Sequence, residues 1–249
     1  MFQRGEKTMT EKIIDGIKIH HYNCVDSTNR IALENTNAQH LLTVISDSQS
    51  GGRGRMGRQY FSYNGGLYMS VVLQISEITI PISLCTPAAA LAVKDALNEA
   101  GILDVKIKWV NDLLLEEKKI CGILTECRTT EKGLKSIVVG IGINLNKPEN
   151  DFPEEIKHRA GYADFNGDKL TLAADIATRL GALVKSNPSD IVTQYEKNMA
   201  WIGEKVTLTD YADNNRKITG KIIGVNEDCF LKITLADGTE RLLSSGEII

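Results

Sequence analysis

The spacing of hydrophobic and polar positions changes character several times along the chain. Residues 17–22 form a short strand candidate. Residues 27–38 follow, with Ile31, Ala32 and Leu33 as a modest apolar stripe behind the candidate caps Asp26, Ser27 and Thr28. A continuous apolar run with β-branched residues over 41–46 predicts a buried strand, and GLYMSVVLQI over 66–75 predicts another. Residues 81–100 read as a helix, with Pro81 at the start and Gly101 just past the end. Strands are predicted over 105–110, 112–115, 120–127 and 136–144, with the turn Glu131-Lys132-Gly133 between the last two. Helices are predicted over 169–185 and 188–201. One strand, one helix and then several strands in succession predict an α+β fold with a mixed, largely antiparallel sheet, rather than alternating βαβ units.

The last 49 residues differ. Short strands over 205–209, 217–225, 229–234 and 241–243 are separated by turn residues at Asn214, Asn226 and Gly238, the pattern of a small barrel or sandwich. The expected organisation is a flexible leader over 1–16, with Met9 as an alternative start, a main domain over 17–201 and a small β domain over 202–249.

Length and charge narrow the function classes. The chain has 249 residues, with 29 basic against 32 acidic side chains. That balance argues against a protein coating nucleic acid through bulk positive charge. There is no run of 18 apolar residues and no apolar signal segment, so a cytoplasmic protein with no membrane partner is expected. The five cysteines are unevenly spaced and include no Cys-x-x-Cys pair, and the four histidines show no metal-ligand spacing. Reduced thiols and no metal site follow as expectations.

Charge is nevertheless concentrated locally. In SQSGGRGRMGRQ, Arg53, Arg55 and Arg58 place three cations in six residues, and no acid occurs between Ser48 and Gly66. Gly52, Gly54 and Gly57 complete the pattern G-x-G-x-x-G, with a strand before it and Glu77 downstream. A dinucleotide site needs a helix directly after the glycines and then a crossover to a parallel strand. Only the eight residues 58–65 separate the loop from the next strand candidate, too few for that crossover. What the loop keeps is phosphate chemistry: glycines that permit close backbone approach, and guanidinium groups suited to bidentate binding. A solvated surface loop and an RNA-binding RG segment are the other readings.

Three further clusters stand out. Asp26-Ser27-Thr28-Asn29 lies at a strand-to-helix transition and can cap the helix or hold a polar ligand group. In Lys106-Ile107-Lys108-Trp109-Val110-Asn111-Asp112, alternation puts Lys108 opposite Ile107 and Trp109; it is either a surface lysine or a point charge for a carboxylate or phosphate. Gly122 in KKICGIL and Gly142 in GIGIN interrupt apolar strands, as bulges do, or as close ligand approach requires.

In order, DSTN, QSGGRGRMGR, KWVND, KKICGIL and GIGIN resemble the biotin protein ligase family, from about Tyr22 to Asn146 and again at Gly246-Glu247-Ile248. The resemblance implies a core like that of class II aminoacyl-tRNA synthetases with an SH3-like β-barrel after it. It implies activation of biotin with ATP to biotinyl-5′-adenylate, then transfer to one lysine of a biotin carboxyl carrier protein. Ser27, Thr28, Asn29 and Gln49 would take the biotin ureido end. Arg53, Gly54 and Arg55 would fold over biotin and adenylate, with Arg58 toward phosphate. Lys108 would meet the biotin carboxylate and the α-phosphate, making Lys108 and Arg53 the catalytic pair. Gly122 and Gly142 would line the bicyclic ring, and Asn111 and Asn144 would lie near the nucleotide.

Adenylation joins two anions, so preorganised cations in a dry pocket fit the chemistry. ATP is expected as its Mg²⁺ complex, with biotin as substrate and no resident prosthetic group. Two departures stand out. Val110 replaces the family's usual proline, without expected loss. The 21 residues before Tyr22 are too few for a helix-turn-helix domain, so a monofunctional ligase without DNA binding is expected. A homodimer through a sheet edge is compatible with the pattern. The alternative activity is a lipoate or octanoate ligase or transferase on the related fold; a noncatalytic binding module is the third reading.

Overall fold

The computed structural model describes residues 8–249. The chain starts its regular structure earlier than the leader expectation placed it: β1 (Met9–Ile14) pairs antiparallel with β2 (Ile17–Val25) through the turn at Asp15 and Gly16. The strand is almost wholly exposed, and its residues MTEKII do not alternate apolar with polar, so the sequence pattern passed over it. Residues 1–7 of the leader lie outside the described residues.

After β2 come α1 (Thr28–Glu34), β3 (Thr43–Gln49), β4 (Leu67–Gln74) and α2 (Cys85–Glu99). Ser27 caps α1 from an extended backbone, its Oγ accepting from Arg30 N at 3.4 Å. The ladder Asp26–Arg30–Glu34 holds the exposed side of that helix, which is shorter than the 27–38 segment expected. The helix expected from Pro81 opens with a 3₁₀ turn, Ile82–Leu84, before α2.

The remaining core elements are β5 (Lys106–Lys108), β6 (Asp112–Leu115), β7 (Lys118–Thr130), β8 (Gly133–Ile143), α3 (Glu154–Lys157), α4 (Lys169–Leu183) and α5 (Pro188–Lys197). Asp168 and Asn187 cap α4 and α5, and Pro188 sits in the first turn of α5. Among the described residues the large sheet has eight strands in the order β1-β2-β3-β4-β8-β7-β6-β5. Only β2 and β3 pair in parallel; the rest of the ladder is antiparallel, as expected for a mixed sheet.

The sheet is covered on two faces, and β4 shows this in its alternation. Leu67, Met69, Val71 and Leu73 join the main core with α2 and α4, whereas Val72 packs with Val138 under Ala32 of α1. Near-continuous apolar sequence in β4 follows from this two-sided burial. On the α1 face the register sets up three rows across β4, β8 and β7. Tyr68, Gly142 and Gly122 form the first, Ser70, Gly140 and Leu124 the second, and Val72, Val138 and Glu126 the third.

The chain ends in β9 (Lys205–Asp210), β10 (Arg216–Val225), β11 (Leu231–Thr234), β12 (Glu240–Leu243) and β13 (Gly246–Ile248). These form a five-stranded antiparallel sheet in the order β12-β11-β10-β9-β13. Its inner side chains, Leu208, Ile222, Leu231 and Ile233 among them, belong to the same continuous core as the main domain. Two hydrogen bonds fasten the segment after β5 to its surroundings: Trp109 Nε1 donates to Cys229 O at 2.9 Å, and the Tyr195 hydroxyl donates to Val110 O at 3.0 Å. The strand expected through Val110 therefore ends at Lys108, and the residues after it serve the junction.

Candidate active site

The glycine-arginine loop follows β3 with no α-helix. It makes one 3₁₀ turn, Arg55–Gly57, and returns into β4, which is antiparallel to β3. The dinucleotide reading is therefore excluded by topology. Met56 and Gly57 take positive φ, and Gly54 N donates to Arg58 O at 2.7 Å, closing the loop into a compact arch.

Beneath the arch is a cavity of about 260 Å³, between the α1 face of the sheet, the segment 152–160 and the end of the C-terminal domain. It is lined by Ser27, Thr28, Asn29, Gln49, Arg53, Gly54, Arg55, Arg58, Lys108, Asn111, Gly122, Gly142 and Asn144, so the fold brings together the site residues that the resemblance implied. Five separate chain segments supply them, which a one-dimensional pattern does not show.

One end is polar and neutral. Thr28 N donates to Gln49 Oε1 at 2.8 Å, and Thr28 Oγ1 lies 3.2 Å from the same oxygen. Asn29 donates from Nδ2 to Glu126 Oε2 at 2.7 Å and to Leu124 O at 3.2 Å. Ser70 Oγ lies 2.6 Å from Asn29 Oδ1 and 2.8 Å from Thr28 Oγ1. Ser27, Thr28 and Asn29 are buried, so the DSTN segment caps α1 and also builds the pocket wall.

The floor is made of glycines. A Cβ at Gly142 would lie 2.7 Å from the ring of Tyr60, and one at Gly122 would lie 3.1 Å from both Tyr60 and the end of Lys119. Tyr60 covers this floor, its hydroxyl donating to Gly142 O at 2.8 Å, and burial pushes its phenol well above the usual range. Gly122 and Gly142 thus admit the Tyr60 ring, a role that the resemblance did not include.

The other end is cationic. Lys108 is half-buried, its Nζ 5.9 Å from the centroid of the Trp201 ring, and burial pulls its ammonium below the usual lysine range. Lys119, which the sequence reading passed over, reaches the floor beside Gly122 and pairs with Asp112 at 2.6 Å. Arg159 adds a further cation from the segment after α3. Alternation along the Lys118–Lys119 pair was the available signal for Lys119, but either lysine fitted it.

The three loop arginines part company. Arg55 is tied in, donating to Asn111 Oδ1 at 3.0 Å and to Gly246 O and Ser245 Oγ at 3.4 Å. Arg58 pairs with Glu247 at 2.6 Å and donates to the Tyr211 hydroxyl at 3.0 Å; this contact holds the Glu247 carboxyl down at about 2. Arg53 is exposed and bridges Gln59 through its backbone, with no side-chain hydrogen bond among the described residues. Asn111 is fixed by donating to Ile123 O at 3.0 Å. Asn144 is buried and donates to Gly161 O at 2.9 Å, so it anchors the 145–161 segment while lining the cavity.

The acids of the pocket are engaged: Asp112 by Lys119, Glu247 by Arg58, and Glu117 by Trp201 Nε1 at 2.9 Å. Among the described residues there is no cluster of three or more His, Cys, Asp or Glu suited to a metal. The five cysteines are free, and burial pushes Cys85 and Cys229 up to about 12. No described helix is long and apolar enough to cross a membrane.

Comparison with known proteins agrees with this geometry. Residues 22–144 match the model of the Biotin/lipoate A/B protein ligase family, and residues 201–249 match the Biotin protein ligase C terminal domain. The chain is 32% identical to the bifunctional ligase/repressor BirA of Bacillus subtilis over 92% of its length and 73% of that protein's. It is 30% identical to the BirA of Escherichia coli, over 94% of this chain and 74% of that one. The biotin protein ligase of Aquifex aeolicus, solved in complex with biotin and ATP, superimposes with a TM-score of 0.78 at 30% identity. That match covers 93% of this chain and 97% of the other. With both domains matched and the cavity formed between them, the chain belongs to the biotin protein ligase family.

Proposed function

We propose that this protein is an ATP-dependent biotin protein ligase that charges a biotin carboxyl carrier protein, with the cavity as its active site. The observation that carries the reading is the polarity of one continuous pocket. A neutral hydrogen-bonding recess at Thr28 and Gln49 is joined across a glycine floor to a cluster of cations at Lys108, Lys119, Arg55 and Arg159. A urea-like head fits the first end, and a carboxylate meeting a triphosphate fits the second.

In the first step a biotin carboxylate oxygen attacks the α-phosphorus of ATP, the new P–O bond forms, and pyrophosphate leaves. Two anions must approach, and the cations offset their repulsion in a site partly closed from water. We divide the lysines differently from the sequence expectation, and their surroundings support that division. Lys119, beside Gly122 and Tyr60, stands nearer the biotin end, whereas Lys108 faces Trp201 and the C-terminal domain. Lys119 therefore takes the carboxylate and α-phosphate role, and Lys108 supports the nucleotide. Likewise Arg55, tied to Asn111 and β13, is the arginine that holds the loop over the adenylate; Arg53 lies at its outer rim. In the second step a lysine amine of the carrier attacks the acyl carbon, AMP leaves, and the amine gives up a proton. No nucleophile from this chain is needed.

Mg²⁺ belongs to the ATP substrate. Because the pocket acids are already engaged by cations and an indole N–H, the phosphates would supply most of its ligands. The matched C-terminal domain is that of biotin ligases, which favours biotin over lipoate or octanoate. A cytoplasmic setting follows for a carrier made there, and the exposed β1 edge is where two copies would pair. The test is incubation with labelled biotin, Mg·ATP and a carrier domain. Label on one carrier lysine is expected; no label would overturn the reading.

A further inference from the structure

Cations outnumber acids in the cavity wall. Arg53, Arg55, Arg58, Lys108, Lys119 and Arg159 line it, against the carboxylates of Asp112, Glu117 and Glu247. That excess suits the first step, in which two anions meet. It opposes the second, in which the incoming carrier lysine is itself a cation at neutral pH. The three carboxylates are not equally free to offset this. Asp112 pairs with Lys119 at 2.6 Å, and Glu247 pairs with Arg58 at 2.6 Å. Glu117 has no ion pair among the described residues; its Oε2 accepts from Trp201 Nε1 at 2.9 Å.

The surroundings of Glu117 keep it so. With Glu116 it forms the two-residue turn between β6 and β7, where both take positive φ, 49° and 61°. Asn-Gly meets such a turn with least strain, so the turn itself does not call for two glutamates. Trp201, where the C-terminal domain begins, has Lys108 Nζ over its ring at 5.9 Å from the centroid and gives its N–H to Glu117. One indole thus engages the ammonium with its face and the carboxylate with its edge, and the two charges are not paired with each other. An ionised carboxylate accepts at several positions, and the indole N–H takes one. Glu117 is exposed while it lines the cavity, so its other positions are open at the rim.

We propose that Glu117 is the entry site for the carrier lysine: its carboxylate receives the lysine ammonium at the rim of the cationic pocket, and Trp201 is the positioning residue that holds that carboxylate. This rests on the ligase reading. From the rim the ammonium gives one proton to water, and the amine nitrogen attacks the acyl carbon. The C–N bond forms as the bond from that carbon to the phosphate oxygen breaks. AMP leaves with the electron pair, and the second proton passes to water. Glu117 takes no part in the covalent step; it concentrates a cationic nucleophile where the rest of the wall repels one.

The test is single-turnover transfer from biotinyl adenylate formed on the full chain, with three nucleophiles: a carrier domain, Nα-acetyllysine amide and hydroxylamine. The first two bring an ammonium, whereas hydroxylamine is neutral at neutral pH. Glu117→Gln keeps an oxygen for Trp201 and loses the charge. In it, transfer to both lysine nucleophiles is expected to fall about five- to tenfold relative to hydroxylamine, chiefly through KM. Trp201→Phe, which keeps a ring and removes the N–H, should give a smaller loss of the same selectivity. A loss shared equally by all three nucleophiles would mark a structural role, and a loss confined to the carrier would mark contact with the carrier's surface. Either result would overturn the inference, as would wild-type ratios in Glu117→Gln. A wild type that forms no adenylate from biotin and Mg·ATP would overturn the biotin reading and this inference with it. If Trp201→Phe does not fold, Glu117→Gln carries the same test.

Discussion

Replacing Gly140 with alanine tests whether Asn29 organises the recess. A Cβ at Gly140 would stand 2.7 Å from Asn29 Cγ and closer still to Oδ1. Non-bonded carbons sit near 3.5 Å or beyond, so the amide must retreat by roughly 1 Å. That movement breaks the 2.6 Å contact with Ser70 and strains the 2.7 Å bond to Glu126. One neutral buried hydrogen bond contributes about 1 kcal/mol and one to a charged group about 1.5–3 kcal/mol, giving a loss of about 2–4 kcal/mol. The backbone adds nothing, since Gly140 is not among the glycines of positive φ. If the recess bears the whole loss, the Kd for biotin rises by about 30- to 1000-fold. Isothermal titration with biotin measures this, and thermal unfolding of the same sample separates a displaced Asn29 from a lost fold. A folded Gly140→Ala protein binding biotin within about threefold of wild type would refute the reasoning.

Lys119→Ala should lower biotin-dependent pyrophosphate exchange by about 10²–10³, chiefly in kcat, because it removes a preorganised cation from the reacting groups; near-normal kcat would return that role to Lys108. Arg55→Gly removes the ties to Asn111, Ser245 and Gly246. It should release the adenylate, seen as labelling of bystander lysines by mass spectrometry; bystander labelling at the wild-type level would contradict the loop assignment. The Glu247 carboxyl lies near 2 in the folded protein against 4.5 ordinarily, chiefly through Arg58. The contact thus stabilises fully above pH 4.5 and is lost as pH falls toward 2. Arg58 is 57% exposed, so screening keeps the contribution below about 1 kcal/mol. Glu247→Gln should flatten the acid limb of the stability curve in that window, and an unchanged limb would show the pair to be inert.

The elements with strong periodicity were legible in the sequence: β4, β8, α2 and α4 bury whole faces, and their apolar patterns reflect it. β1 was not, because an exposed edge strand has no apolar face to display. β13 was not, because three residues carry too little pattern. The site residues were legible as clusters, since glycine in a strand and arginine in a glycine loop are unusual enough to notice. Their division of labour was not. Arg53, Arg55 and Arg58 look equivalent in sequence, and only contacts with Asn111, β13 and Glu247 separate them. Tyr60, Ser70 and Glu126 were invisible for a different reason: an aromatic in a loop, a serine in a buried strand and an acid in an alternating strand each fit an ordinary surface or core position. Cross-strand register puts Ser70 and Glu126 on the face that α1 covers, where Thr28 and Asn29 meet them, and that docking is a tertiary property.

The most direct measurement of the central claim is carrier labelling by the wild-type chain with radiolabelled biotin, read by mass spectrometry for the site of attachment. Label on a single carrier lysine, dependent on both ATP and Mg²⁺ and accompanied by one pyrophosphate per biotin transferred, is the expected result. Transfer without ATP, or an absence of transfer while a lipoate or octanoate carrier is labelled, would contradict it.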